Sequence, residues 1–197
     1  MTFVASHLPV GAGLSALDKA RDIVPDIVSD RIELISTTPE MLRADFAKSP
    51  EFSRLIDAEV PADWPSDGWD ENAYNYLLER MEKYPEYRGW SRYIAVKSSE
   101  GGRRILAGGC GLLEPVELTD DPEIGYGLLD AFQHHGHATE AVGALVGWIF
   151  GHPHVKSVNA QTFPDHHASL GVLSRCGFGF AGDGREEGTV LYRRWRE

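Results

Sequence analysis

The stretch Gln133-His134-His135-Gly136-His137-Ala138-Thr139-Glu140-Ala141 separates an apolar, strand-like run (residues 124–129) from an amphipathic run (residues 136–150). In the second run Ala138, Ala141, Val142, Leu145 and Ile149 recur at helical spacing. That spacing predicts a helix with one buried face. Strand, small-residue loop and helix start form an arrangement that presents free backbone N–H groups. The first turn of a helix has unpaired donors and the positive end of the dipole. A phosphate is held there without dedicated basic side chains. Gly136 and Ala138 matter because a bulky side chain would keep a ligand off the backbone.

The rest of the chain reads as strands and helices around this unit. Residues 31–36 alternate and predict a first strand. Thr38, Pro39 and Glu40 are a cap, a first-turn proline and a first-turn acid, predicting a helix to about residue 48. Ser49-Pro50-Glu51 repeats the signal for a second helix to about residue 58. Residues 60–70 are a loop rich in breakers and large aromatics. A third helix follows over 70–84, with Tyr74, Leu77, Leu78 and Met81 on one face. Residues 92–97 and 103–113 predict two strands joined by a turn at 98–102. Gly108, Gly109 and Gly111 suggest a bulge or a close backbone approach in the second. The central strand spans 123–129, another spans 155–162, and a helix over 165–176 ends at Gly177. Residues 178–181 and 188–195 close as a hairpin. Within residues 1–30, residues 15–24 could form a short helix before Pro25. The order predicts one mixed α/β domain.

Composition removes several function classes. The chain has 197 residues and a formal net charge of −11, which argues against a nucleic-acid binder. No apolar run reaches the length of a membrane span. The N-terminus lacks a basic region followed by an apolar core, so a secretory signal is not expected, and a cytoplasmic location is. The two cysteines, Cys110 and Cys176, are far apart with no metal spacing and read as reduced thiols. Cys176, at an apolar position before a glycine, reads as a core thiol. Histidines cluster at 134–137, 152–154 and 166–167. No acid or thiolate completes a ligand set there, so no metal is expected.

Three segments carry a resemblance. Gln133-x-x-Gly136-x-Ala138 opening a helix after a strand resembles the pyrophosphate loop of the GNAT superfamily of N-acetyltransferases. Glu123-Ile124-Gly125-Tyr126 before it and Ala138-Thr139-Glu140-Ala141 after it are similar to the RimJ/RimL-type branch. Pro164-Asp165-His166-His167-Ala168-Ser169, with Val172-Leu173 and Cys176-Gly177-Phe178, matches a second segment of that branch. The resemblance covers roughly residue 31 to the C-terminus. It implies an α/β, single-domain GNAT fold over residues 31–197, preceded by an extension over 1–30. Its mixed central sheet would be flanked by helices and splayed between the fourth and fifth strands, 123–129 and 155–162.

The resemblance also implies chemistry. Acetyl-CoA would be the donor and co-substrate, and an amine, on a protein N-terminus or a small molecule, the acceptor. The chain would act as a monomer or homodimer. The pantetheine would pair with the backbone of Tyr126, Gly127 and Leu128. The pyrophosphate would lie on Gln133, His134, His135, Gly136, His137, Ala138 and Thr139. His166 stands where the family has a cofactor-contacting asparagine. Leu173 stands where many members have the tyrosine that protonates the leaving thiolate. Ser169 is placed to take that role, as a hydrogen-bond donor or relay, because a serine hydroxyl has a high pKa. Glu123 is the candidate base and His166 its rival. Trp64 and Trp90 are candidates for the acceptor pocket. A catalytically silent acyl-CoA-binding domain is the alternative that the missing tyrosine and substituted asparagine leave open.

Overall fold

The computed structural model describes residues 24–65, 69–84, 87, 89–98 and 102–197. Nine strands form one mixed sheet in the order β1-β2-β4-β5-β6-β7-β9-β8, with β3 pairing alongside β5. The strands are β1 (Ile27–Val28), β2 (Ile32–Ser36), β3 (Ala58–Glu59), β4 (Ser91–Val96), β5 (Arg104–Leu112), β6 (Glu123–Leu128), β7 (Ser157–Thr162), β8 (Gly179–Asp183) and β9 (Val190–Trp195). The helices are α1 (Pro39–Phe46), α2 (Glu51–Leu55), α3 (Glu71–Lys83), α4 (His137–Phe150) and α5 (His167–Arg175). The α/β class and the single mixed sheet flanked by helices expected from sequence are what the chain adopts.

The cap expected at Thr38 forms, and the structure adds a second at Asp70. Thr38 Oγ1 accepts from the Met41 N–H at 3.2 Å, and Asp70 Oδ1 from the Ala73 N–H at 2.9 Å. Each satisfies a first-turn donor that the helix itself leaves unpaired. The second helix stops at Leu55, three residues before its expected end. Asp57 there takes φ 46°, and Ala58–Glu59 turn into a short strand parallel to β5. Arg103 and Arg104 donate to the carbonyls of Ile56, Asp57 and Ala58, which a continued helix would have used internally. The expected turn at 98–102 and helix at 15–24 fall largely outside the described residues. Val24 to Asp30, expected to belong to the extension, pack onto the domain. Val24 is buried, Asp26 Oδ1 accepts from the Ser36 N–H at 2.7 Å, and β1 pairs antiparallel with β2.

Each face of the sheet buries its own core. Apolar residues of α4 and α5, including Leu145, Ile149 and Leu173, pack on Ile94, Ile124, Val158 and Ala160. On the other face, Leu42 of α1, Phe52 of α2, and Tyr74 and Met81 of α3 pack on Tyr93, Ala95 and Leu106. A register shift in the β4–β5 ladder lies at Ile94/Ala95, opposite Leu106 and Gly108. It puts both Ala107 and Gly108 on the α4 side and leaves Gly109 and Gly111 on the other. This is the bulge that the glycines of this strand predicted. A Cβ on Gly109 would sit 2.6 Å from the Trp69 indole, so only glycine admits that ring.

The α1–α3 core encloses one carboxylate. Asp45 accepts from Trp64 Nε1 at 2.7 Å and from the Tyr93 hydroxyl at 2.9 Å. Trp64, Trp69 and Tyr93 pack ring to ring, with centroids 5.7–5.9 Å apart. Burial raises the Asp45 pKa above the ordinary value, against the lowering by its hydrogen bonds. A carboxyl whose folded pKa is raised contributes most at low pH, and that contribution is lost as pH climbs through the folded value. Asp45→Ala should cost about 3 kcal/mol, because two buried donors lose their acceptor. Asp45→Asn, which keeps an acceptor oxygen, should cost less, and its deficit relative to the natural protein should shrink as pH climbs from about 4 to 7, because it lacks the contribution that the carboxyl loses over that range. Urea midpoints measured from about pH 4 to pH 7 check both; a steeper pH dependence in the Asn variant would contradict the assignment.

Candidate functional site

The site begins where a ladder stops. β5 and β6 pair continuously from Leu112↔Ile124 to Gly108↔Leu128. β6 and β7 pair only at Glu123↔Asn159 and Ile124↔Ala160, then separate. The Leu113 N–H donates to the Glu123 carbonyl and the Leu129 N–H to the Ala107 carbonyl, so odd-numbered residues of β6 bond to β5. By alternation, Tyr126 and Leu128 turn their N–H and C=O groups into the gap. Gln133 Nε2 donates to the Leu128 carbonyl there, at 3.2 Å. A cavity of about 750 Å³ opens along this edge and runs past the N-terminus of α4 to α5. Buried backbone groups must find partners, so this edge is a place for an extended, amide-bearing ligand.

The loop ahead of α4 forms the cavity's second wall. Gly136 takes φ 81° as the N-cap, a conformation that glycine adopts without steric penalty. His134 also has positive φ, at 62°. The first helical bond runs from the Glu140 N–H to the Gly136 carbonyl, at 3.0 Å. The N–H groups of His137, Ala138 and Thr139 lie ahead of it, in the first turn. This turn is braced from the connection between β1 and β2. Arg31 Nε donates to Glu140 Oε2 at 2.7 Å, the Arg31 N–H and Ser29 Oγ to Glu140 Oε1, and Arg31 Nη1 to the His135 carbonyl at 3.0 Å. Those bonds to the ionised carboxylate lower the Glu140 pKa, outweighing burial, which raises it. Burial lowers the His137 pKa, with its Nδ1 3.2 Å from the Phe132 carbonyl, so the loop histidine nearest the helix favours its neutral form. Arg175 of α5 supplies a fixed cation across the cavity, its Nε donating to Thr139 Oγ1 at 3.2 Å. A left-handed glycine, a helix start and a fixed cation together suit a phosphorylated carrier.

α5 brings hydroxyls to the same cavity. Tyr126 of β6 and Ser169 of α5 both line it, with their hydroxyl oxygens 2.9 Å apart. Burial pushes the Tyr126 phenol up to about 12. His166 caps the start of α5 and also lines the cavity, with its Nδ1 3.3 Å from Thr162 Oγ1.

Glu123 sits on the opposite face from Tyr126, at the point where β6 and β7 diverge. It is 7% exposed. Its two oxygens accept from Gln161 Nε2 at 2.7 and 2.9 Å, and Arg185 Nη2 also donates to it. Arg185, in the β8–β9 turn, is further held by its backbone N–H on Gln161 Oε1, and its bond to the Glu123 carboxylate raises its own pKa. Glu114 is close enough to this group for Glu123 to raise its pKa, though burial raises it more. Gly125 and Gly127 follow Glu123 along the same face. With their register partners Gly111 and Gly109 they make a floor that carries no side chains of its own, with the Trp69 indole lying against Gly109.

The structure gathers most of the predicted cofactor residues: Tyr126, Gly127, Leu128, Gln133, His134, Gly136, His137, Ala138, Thr139 and His166 line one cavity with Ser169. Besides Glu123, on the other face of β6, three predicted residues lie outside this lining. His135 is outside the lining; its ring stacks on His137 with centroids 5.7 Å apart, and its carbonyl serves Arg31. Trp64 turns its indole into the α1–α3 core, because its N–H needs the buried Asp45; its neighbours Asp63 and Pro65 reach the cavity instead. Trp90 is 3% exposed and packs on the α4 side against Trp148, with centroids 5.0 Å apart, and not on an acceptor surface. Both tryptophan side chains are buried in the core. The reading from sequence missed Arg175. A signal was present: Ala168, Gly171, Val172 and Arg175 form one helical stripe of α5, and that stripe faces the cavity. Among the described residues no group of three or more His, Cys, Asp or Glu is placed to hold a metal, and no helix is long and apolar enough to cross a membrane.

Comparison with known proteins places this geometry. Several solved structures share the fold. An acetyltransferase from Agrobacterium tumefaciens str. C58 superposes with a TM-score of 0.59 at 19% identity, covering 91% of this chain and 99% of that one. RimL, a ribosomal L7/L12 alpha-N-protein acetyltransferase in complex with coenzyme A, gives 0.56 at 18% identity, covering 87% and 98%. The microcin C7 self-immunity acetyltransferase MccE, in complex with acetyl-CoA and AMP, gives 0.58 at 16% identity, covering 89% and 99%. No functionally curated protein matches in sequence. The sequence profile described as "Acetyltransferase (GNAT) domain" matches residues 32–179, well over half the chain and all of the cavity wall from β6 to α5. The chain belongs to the GNAT acetyltransferase family.

Proposed function

We propose that this protein transfers an acetyl group from acetyl-CoA to a primary amine by direct attack, with no acyl-enzyme. The observation that carries the reading is the short β6–β7 pairing, which ends at Ile124↔Ala160 and opens onto the N-terminus of α4. The free edge of β6 would pair with the amides of the pantetheine. The first turn of α4 and Arg175 would hold its phosphates. Those contacts would place the thioester beside Leu128, whose N–H faces the gap and would donate to the carbonyl oxygen as charge develops there. The acceptor nitrogen would form the new C–N bond with its lone pair. The C–S bond would break, its electron pair staying on sulfur. The amine's surplus proton would pass through Glu123 to solvent, and the sulfur would leave as a thiolate to be protonated from solvent.

The acceptor approaches from the other side of the sheet in this reading, over the glycine floor toward Glu123. A protein N-terminus or a small amine would suit it. An α-amino group, with a pKa near 8, needs less help than a lysine-type amine near 10. A panel of both kinds, followed by release of free thiol from acetyl-CoA, tests the reading. Turnover of at least one amine is expected. Binding of CoA with turnover of none would favour the silent acyl-CoA-binding alternative.

The phosphate wall is tested at Gly136. Gly136→Asp should weaken acetyl-CoA binding by about 10- to 100-fold, or ~1.4–2.8 kcal/mol, by setting a carboxylate against the phosphates. Gly136→Asn, which tolerates positive φ without the charge, should lose much less. Calorimetric titration of both folded variants decides; equal losses would mean that backbone geometry, not charge, is what the substitution disturbs.

The proton path is tested at Glu123 and Arg185. Glu123→Gln should lower kcat/KM most at low pH, where the amine is protonated, and least where it is already neutral. Arg185→Gln removes a hydrogen-bonded cation from this carboxylate and should lower kcat/KM by about tenfold, with the Glu123→Gln, Arg185→Gln double variant no worse than Glu123→Gln alone. Additive losses in the double variant would mean that Arg185 does not act through Glu123.

A further inference from the structure

The family's usual tyrosine acid is replaced by Leu173, whose side chain is fully buried in the α4–α5 core. A different tyrosine reaches the cavity from β6. The Tyr126 hydroxyl lies 2.9 Å from Ser169 Oγ and 3.2 Å from the Ser169 carbonyl oxygen. Both residues line the cavity, and both are buried, at 8% and 3% exposure. One tyrosine proton has two acceptors within reach, and the choice sets where the serine proton goes. If the tyrosine donates to the carbonyl, its oxygen is free to accept from serine, and the serine proton points away from the cavity. If the tyrosine donates to Ser169 Oγ, the serine proton is released toward the cavity. We propose that Tyr126 is a positioning residue for the departing sulfur: its hydroxyl donates to Ser169 Oγ and so turns the serine proton onto the thiolate as it forms. This rests on the acetyl-CoA reading above.

Charge decides between the two arrangements. Negative charge on sulfur makes the serine bond charge-assisted, which is roughly twice as strong as a neutral one. A chain of two donors running the same way polarises both bonds. The neutral arrangement, in which serine donates to tyrosine, gains nothing from that charge. The pair therefore responds to the leaving group and not to the intact thioester, as a transition-state interaction must. It does so without giving up a proton. Burial pushes the tyrosine up to about 12. A thiol has a reference pKa of about 8.5, so transfer from tyrosine to thiolate is uphill. Both hydroxyls stay protonated, and the sulfur takes its proton from solvent after the C–S bond has broken. Ring packing holds the tyrosine in place independently of its hydroxyl, since Tyr126 belongs to the α4–α5 core.

The test reads the bound thiol, which needs no acceptor. CoA bound to the natural protein is titrated by the ultraviolet absorbance of its thiolate, beside Tyr126→Phe, Ser169→Ala and the double variant. The thiol pKa should rise by about one unit in Tyr126→Phe and at least as much in Ser169→Ala, a tenfold loss of ionised fraction at fixed pH. The double variant should match Ser169→Ala, because tyrosine acts only through serine. CoA affinity should change less than threefold in all of them, which separates positioning from a structural role. An unchanged thiol titration in either single variant would overturn the proposal, as would full additivity in the double. Failure of the natural protein to bind CoA would sink the acetyl-CoA reading and the proposal with it. A thiol shift without turnover of any amine would defeat the transferase reading and leave the Tyr126–Ser169 pair standing.

Discussion

Two residue pairs hold β6 to β7, and the rest of the molecule depends on their being only two. The ladders that flank this gap are longer: five residue pairs from β5 to β6, and six from β7 to β9. Past Ile124↔Ala160 the strands diverge, and the backbone groups of Tyr126 and Leu128 lose the partners a continuous sheet would supply. A buried backbone group without a partner costs about as much as a lost hydrogen bond, so this edge demands a ligand, a side chain or water. Gln133 satisfies part of that demand by donating to the Leu128 carbonyl. The remainder defines what the cavity recognises.

Keeping such a gap open requires stiffness around it. The bulge in β5 changes which face each residue of that strand serves, and it brings two glycines beside those of β6. On the α4 side, the brace from Arg31 and Ser29 to Glu140 fixes the first turn of α4 against the connection between β1 and β2, more than 100 residues away in sequence. On the other side, the Asp45–Trp64–Tyr93 group fixes the aromatic block from which Asp63 and Pro65 reach the cavity. Each device joins distant parts of the chain through a buried or half-buried charge with several partners. Such groups are costly when half satisfied and confer specificity when complete.

The two faces of the gap divide the proposed chemistry. Hydroxyls and phosphate contacts lie toward α4 and α5, where Tyr126 meets Ser169. The carboxylate of Glu123 lies toward the glycine floor, held by Gln161 and Arg185. Alternation along a single strand produces this separation, since Glu123 and Tyr126 are three residues apart and point to opposite faces. In the proposed reaction the sulfur departs on the Ser169 side and the amine gives up its proton on the Glu123 side, and one strand can serve both.

The sequence by itself determined the order of the longer elements, the cap at Thr38, the bulge in β5 and the glycine-led start of α4. These are local: each follows from periodicity, from the rotamer and hydrogen-bond preferences of a few neighbouring residues, or from glycine's freedom at Gly136. Even Arg175 was visible in principle, as the cation on the stripe that carries Ala168 and Val172. Tertiary structure alone decided what depends on long-range pairing. Trp64 and Trp90 read as equally good cavity aromatics along the chain. Only folding shows one indole donating to Asp45 and the other packed on Trp148. Glu123 reads as a free strand-end carboxylate until Arg185, 62 residues on, is brought against it. The contact between Tyr126 and Ser169 spans 43 residues and two elements. Propensity and pattern act over a turn or a strand, whereas these partners are chosen by which faces a sheet and its helices finally bury together.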